Sequence, residues 1–361
     1  MLADNPLTQV NITSLDDEFI NYAKQSGFGD IHLKVDSVTG LVAIIAIHNT
    51  NLGPALGGCR LRDYANINEA FLDVMRLARG MSYKSALAGL PLGGGKSVLI
   101  KPTQILDRER YFEAFGRFIE ELNGRYITAV DSGTNPTDMD YIARSTRFVT
   151  STTKQGDPSP FTAAGVRHSI LAAVKFKFGK DSLKGLHVAI QGLGHVGYYL
   201  ARELHELGAR LTVSDINPIA LERCIKEFGA TTTTPDKIHI VDCDIYAPCA
   251  LGATLNDRTI PEIKAAIVVG AANNQLAESR HGVELHQRGI LYGPDYVVNA
   301  GGVIHAAAEY LKTSLDVVNQ QVSNIYQVLL NIFKRSAQDN LPTSEVADII
   351  AEEKLYAGDR S

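Results

Sequence analysis

The chain has 361 residues, of which 45% are hydrophobic and 21% charged, and its formal net charge is -5. That length exceeds one ordinary core and points to two domains, in the composition of a soluble globular protein. No block of Lys or Arg gives an electrostatic case for nucleic acid or an anionic membrane as partner, which leaves a small molecule as the expected ligand.

The first residues, MLADNPLTQVNITSLDDEF, have neither a basic stretch followed by an apolar one nor an arginine-rich transit character, so no targeting segment is expected. The longest apolar run, residues 41–47, has only strand length, far short of a membrane span. The four cysteines, Cys59, Cys224, Cys243 and Cys249, form no C-x-x-C pair, and the ten histidines no H-E-x-x-H motif. No metal is expected, and reduced thiols suit a cytoplasmic protein.

Residues 30–47 hold two strand-like runs, IHLKV and LVAIIAI, joined by Ser37-Val38-Thr39-Gly40, the pattern of a hairpin. Residues 68–81 place Phe71, Val74, Met75 and Leu77 at helical spacing. Next comes MSYKSALAGLPLGGGKSV, in which Lys84 and Lys96 bracket an apolar, glycine-rich run. A lysine crowded by a second cation and partly desolvated has its pKa drawn down towards use as a base. Residues 97–100 read as a strand, 107–122 as a helix stopped by Asn123-Gly124, and 126–130 as the next strand.

The polar segment STTKQGDPSP, residues 151–160, reads as a linker. Beyond it strands at 186–191, 209–214, 245–247 and 266–269 alternate with helices at 196–207 and 218–228. That rhythm predicts a parallel, doubly wound sheet in an α/β protein of two domains.

Gly192-Leu193-Gly194-His195-Val196-Gly197 fits G-x-G-x-x-G between a strand and a helix, and Asp215 ends the following strand. Such glycines allow a tight turn, close approach of a pyrophosphate and close helix packing, at a helix N-terminus that offers unpaired N–H groups. Asp215 would bind the adenosine ribose and repel a 2′-phosphate, favouring NAD over NADP. Without a ligand the same residues would be a glycine turn and a solvated strand-end carboxylate. Gly93-Gly94-Gly95-Lys96-Ser97 also invites comparison with a phosphate-binding loop, but its first glycine is misplaced by one residue and an apolar strand, not a helix, follows.

Several segments together carry a family resemblance: NLGPALGGCR from Asn51, MSYKSALAGLPLGGGK, LNGRYITAVDSGT from Leu122, GDPSPFTAAGV, GLGHVG, APCALGA, GAANNQL and PDYVVNAGGVI. In this order they resemble the Glu/Leu/Phe/Val dehydrogenases, closest to the leucine, valine and phenylalanine branch. The resemblance implies NAD-dependent oxidative deamination of an L-amino acid to its 2-oxo acid and ammonia, reversibly. It implies an α/β substrate and oligomerisation domain at 1–149, a Rossmann NAD domain at 150–330, the reaction in the cleft between them, and C-terminal helices at 331–361 that return to the first. A homo-oligomer, dimer or octamer, is expected.

By the same resemblance Lys84 binds the substrate carboxylate, Lys96 is the base that activates water, and Asp131 holds the amino group. Gly57 and Gly58 let the backbone approach the substrate, and Asn274 lies near both the carboxylate and the nicotinamide ribose. Thr162 lies near the nicotinamide amide, and Ala247, Pro248, Ala272 and Asn299 join the cofactor side with the fingerprint residues. The positions resembling the side-chain pocket are Leu56, Ala129, Val303 and Ala306. Ala306 is smaller than the valine expected in a leucine-type enzyme, a difference of about 1 to 3 kcal/mol in side-chain preference. Cys59, Val130 and His305 are further departures. No pocket position carries a cation for a second carboxylate, which argues against glutamate as the substrate. A non-catalytic NAD-binding sensor is the alternative, against which the joint presence of Lys84, Lys96 and Asp131 counts.

Overall fold

The computed structural model describes residues 17–28, 30–102 and 107–357. It divides into two compact units, Met1–Ser82 with Gly93–Thr152, and Tyr83–Leu92 with Thr153–Ser361. The segment read above for targeting signals lies outside the described residues, apart from its last three.

In the first unit α1 (Asp17–Gln25) precedes the expected hairpin, β1 (Asp30–Asp36) and β2 (Leu41–Asn49), paired antiparallel from Asp30 with Ile47 to Asp36 with Leu41. β3 (Ala55–Arg62), α2 (Ile67–Ala88), β4 (Gly93–Ile100), α3 (Arg108–Glu121), β5 (Tyr126–Val130) and α4 (Pro136–Ala143) follow. The sheet order is β1-β2-β4-β3-β5, with β3 parallel to both β4 and β5. Ile44 and Ala46 of β2 and Val98 of β4 pack against Phe71, Val74 and Met75 of the stripe read from the helical spacing and against Ala78, while Leu77 is half-buried outside this cluster. Asp107 caps α3 by accepting the Arg110 N–H at 3.0 Å, and the chain turns out of that helix through Asn123 and Gly124, both at positive φ.

Two expectations change here. The helix predicted over 68–81 runs on to Ala88, so Lys84 stands on α2, which ends at Gly89 with φ +69°. The strand predicted over 97–100 begins earlier: Gly93, Gly94 and Gly95 are the buried start of β4. A Cβ on Gly94 would lie 2.0 Å from the Ser82 backbone nitrogen, and one on Gly93 2.0 Å from the Asn49 carbonyl oxygen. Helix and strand close in to backbone contact, which only glycine permits.

The second unit runs α5 (Ser159–Phe178), β6 (His187–Gln191), α6 (His195–Glu206), β7 (Arg210–Ser214), α7 (Pro218–Phe228), β8 (Thr231–Thr232), β9 (Ile245–Pro248), β10 (Ile267–Val268), α8 (Arg280–Gln287), β11 (Leu291–Tyr292), α9 (Asp295–Val298), α10 (Gly301–Leu311), α11 (Leu315–Asp339) and α12 (Thr343–Leu355). All six strands are parallel, in the order β8-β7-β6-β9-β10-β11. That is the 3-2-1-4-5-6 order of a dinucleotide fold, with its switch point between β6 and β9.

The unit boundary at Thr152 falls within the predicted linker. The C-terminal helices, expected to return to the first domain, belong to the second unit, and so do residues 83–92. The reason is local packing. α11 lies along α5, α12 packs on α8 and β11, and the Thr343 hydroxyl donates to the Tyr292 carbonyl at 2.7 Å. α12 also holds the end of α2: the Tyr83 hydroxyl donates to Glu352 at 2.5 Å, and the Lys354 ammonium to the Ala86 carbonyl at 3.2 Å.

Candidate active site

In the first unit β4 carries Lys96 beside β3, and Asp131 follows directly on β5. Lys96 is 6% exposed, and its ammonium lies 2.6 Å from Asp131 Oδ2. Gly58 makes room for this pair: a Cβ there would stand 2.8 Å from Asp131 Cβ and 3.2 Å from Lys96 Nζ. Gly57 has a different cause, because its Cβ would fall 1.8 Å from the Gly95 carbonyl oxygen on the neighbouring strand. The Tyr126 hydroxyl donates to the Gly57 carbonyl at 2.8 Å, so that backbone is pinned from below as well.

Burial pushes the Asp131 carboxyl up, but the Lys96 ammonium and the Arg60 guanidinium outweigh it and hold the group below the usual carboxylate range. Arg60 went unremarked in the sequence. Its Nε reaches Asp131 Oδ2 at 3.3 Å, and its Nη1 donates to Asp73 Oδ2 at 3.1 Å. Strand alternation, which places residues 58 and 60 on one face of β3, is the signal that could have found it. Within its own unit the neighbour that the fold gives Lys96 is the Asp131 carboxylate, with the Arg60 guanidinium on the same oxygen. Burial holds the Cys59 thiol far above its ordinary pKa, leaving it neutral beside the pair.

Lys84 lies in the second unit. Its ammonium donates to Asn299 Oδ1 at 2.7 Å, and Asn299 Nδ2 donates to the Ala271 carbonyl at 3.0 Å and to Asn273 Oδ1 at 2.7 Å. Asn299, expected on the cofactor side, is therefore also a bracket between Lys84 and the GAANNQL loop. Asn274 in that loop sits at φ +51° and its carbonyl accepts the Ala253 N–H at 2.7 Å, while the Gln275 amide spans the Gly270 and Ala272 carbonyls. Burial raises the Asp295 carboxyl, opposed by the Lys84 ammonium and by the Asn274, Gln275 and Tyr296 backbone N–H groups.

The fingerprint glycines separate by cause. Gly192 turns the chain at φ +94°, and a Cβ on Gly197 would lie 2.0 Å from the Gly192 carbonyl oxygen. A Cβ on Gly194 would meet nothing within 4 Å. Protein packing does not require a glycine there, whereas a pyrophosphate laid on the first turn of α6 does. Asp215 accepts the Leu193 N–H at 2.5 Å and the Asn217 N–H at 2.7 Å, holding the fingerprint turn at the strand end where a ribose would bind. His195 is exposed and Val196 half-buried on the first turn of α6, and Ala247 and Pro248 are buried at the end of β9 across the switch point. The Pro248 carbonyl accepts the Ala272 N–H at 3.0 Å, which joins β9 to the GAANNQL loop. The donor set fits NAD, which takes up hydride when bound.

Thr162 of α5 and His305 of α10 each lie where these two helices pack together. Cβ atoms on Gly301 and Gly302 would strike the Phe161 carbonyl at 2.0 Å and Thr162 Oγ1 at 2.7 Å, and the His305 ring stacks on Phe161 with centroids 4.3 Å apart. Of the side-chain positions, Leu56 and Ala129 are buried in the first unit, and Val303 and Ala306 are half-buried on α10. The one group of three such side chains among the described residues close enough together to hold a metal ion, Asp257, His281 and Glu284, already holds Arg280, whose Nη1 lies 2.6 Å from Asp257 and 2.8 Å from Glu284.

Comparison with known proteins identifies the family. A family model described as Glu/Leu/Phe/Val dehydrogenase, dimerisation domain, matches residues 29–148, and one described as Glutamate/Leucine/Phenylalanine/Valine dehydrogenase matches residues 157–222 and 217–357. The chain belongs to the Glu/Leu/Phe/Val dehydrogenase family. It is 49% identical to leucine dehydrogenase of Bacillus subtilis (strain 168), over 95% of this chain and 96% of that one. It is 45% identical to phenylalanine dehydrogenase of Thermoactinomyces intermedius, over 88% of each. The crystal structure of L-tryptophan dehydrogenase from Nostoc punctiforme superposes with a TM-score of 0.86 at 41% identity, covering 95% of this chain and all of that one. The chain is accordingly an NAD-dependent amino-acid dehydrogenase. No helix among the described residues is long and apolar enough to cross a membrane.

Proposed function

We propose that this family member oxidatively deaminates an apolar L-amino acid of leucine type, with room for a larger side chain, and that Lys96, Asp131 and Lys84 carry the reaction. The observation that supports it most is the buried 2.6 Å pair of Lys96 and Asp131 beside Gly58. Asp131 accepts the substrate amino group, and Lys96, once neutral, takes a proton from the water that attacks the oxidised α-carbon. Lys84, oriented by Asn299, binds the carboxylate as a point charge. Leu56, Ala129, Val303 and Ala306 offer no cation, so a side-chain carboxylate would be left unpaired. Among the relatives, those named for leucine and for aromatic amino acids are similarly close, and Ala306 favours acceptance of the bulkier ones.

Self-association belongs to the same reading. β1 is the edge of its sheet and leaves Leu33 and Val35 more than half exposed, a strand edge that a second copy would cover. Four unpaired thiols suit a reducing compartment, in line with a cytoplasmic location. The test is NADH formation with leucine, valine, phenylalanine, tryptophan and glutamate in turn, with light scattering for the subunit number. No NADH with any of them would favour the sensor.

A further inference from the structure

Asp131 Oδ2 receives two cations, the Lys96 ammonium at 2.6 Å and Arg60 Nε at 3.3 Å, and the Ser132 backbone N–H also bonds the carboxylate. Arg60 is tied in turn to Asp73, at 3.1 Å, and Asp73 accepts the Tyr64 hydroxyl at 2.6 Å. Lys96, Asp131, Arg60 and Asp73 form a row of alternating charges with no net charge, drawn from β4, the end of β5, β3 and α2. A base must be neutral when it takes a proton. If Lys96 were the only cation on Asp131, that moment would strip a largely buried carboxylate of its partner, and the carboxylate would tend to protonate.

We propose that Arg60 is a positioning residue that keeps Asp131 ionised and fixed in place for the substrate amino group whatever the protonation state of Lys96. The inference rests on the reading of Lys96 and Asp131 given above. A guanidinium suits this task because it does not deprotonate in proteins and its planar fork can hold Asp131 and Asp73 together. The groups facing Asp131 are Lys96 from β4 and Arg60 and Cys59 from β3, with Asp73 of α2 and Tyr64 acting through Arg60. Cys59 is held neutral by burial, so the arginine is the permanent charge of the set. Asp131 lies below the usual carboxylate range in part because of Arg60.

The test is the pH profile of kcat/KM for Arg60→Gln and Arg60→Lys, with NADH binding followed by fluorescence. Arg60→Gln is expected to lose about tenfold or more in kcat, with the acid limb displaced upward by about one pH unit. Arg60→Lys should recover part of the rate and most of the displacement, and NADH affinity should stay at the parental value in both. An acid limb that coincides with the parent's in Arg60→Gln, or Arg60→Lys no better than Arg60→Gln, would overturn the proposal. Should Arg60→Gln not fold, Tyr64→Phe decides: it loosens the Asp73 anchor and should move the limb the same way by less, and an unmoved limb overturns the idea. Asp131→Asn separates the two levels. Near-parental turnover there would sink the catalytic reading itself, whereas its loss alongside an unmoved limb in Arg60→Gln sinks only the role of Arg60.

Discussion

The Tyr83 hydroxyl donates to the Glu352 carboxylate at 2.5 Å and ties the turn of α2 that carries Lys84 to the last helix of the chain. A contact 269 residues apart in sequence thus steadies the group proposed to bind the substrate carboxylate. Tyr83→Phe should raise KM for the amino acid about three- to tenfold, the scale of a lost hydrogen bond to a charged group, with kcat nearly unchanged. Steady-state kinetics check it, and a fall in kcat at constant KM would place the effect elsewhere.

Gly194 and Gly197 should respond oppositely to alanine. At Gly194 the new Cβ meets no protein atom, so stability should stay within about 0.5 kcal/mol while NADH binding weakens about tenfold or more. At Gly197 the Cβ would collide with the Gly192 carbonyl oxygen, and the unfolding midpoint should drop by the equivalent of about 1 to 3 kcal/mol. Denaturation and fluorescence titration of the two variants distinguish these outcomes.

Gly58→Ala would place a methyl group where Asp131 Cβ and Lys96 Nζ now approach. Displacing either partner by about 1 Å should cost on the order of 100-fold in kcat. NADH affinity should not change, since the fingerprint lies in the other unit.

How far these sites could be read from sequence depended on how local their causes are. The GLGHVG turn, Asp215, the hairpin and the apolar stripe of α2 follow from short spacings and were legible. The strand at Gly93 to Gly95 was not, because glycine is a poor strand former and the reason for it, backbone contact with Ser82 and Asn49, is tertiary. Strands β8 and β11, of two residues each, carry no periodicity at all. Arg60 and Asp131 are 71 residues apart, and nothing short of the paired strands brings them together.

Acid should destabilise the fold partly through His168. Burial, with Arg167 beside it, lowers its pKa from 6.5 to about 4. The unfolded chain therefore binds a proton between those values that the folded chain does not, and stability falls as pH drops through that window and levels off below it. His168→Gln should flatten this part of the stability profile measured by thermal unfolding. An unchanged slope would show that His168 titrates normally in the folded protein.

The most direct measurement follows NADH absorbance for the parent and Lys96→Ala with leucine, valine, phenylalanine, tryptophan and glutamate. The account predicts NADH from the apolar amino acids and little from glutamate, with turnover lowered about 10²- to 10⁴-fold in Lys96→Ala while NADH still binds. Near-parental turnover by Lys96→Ala, or glutamate oxidised as fast as the apolar substrates, would contradict it.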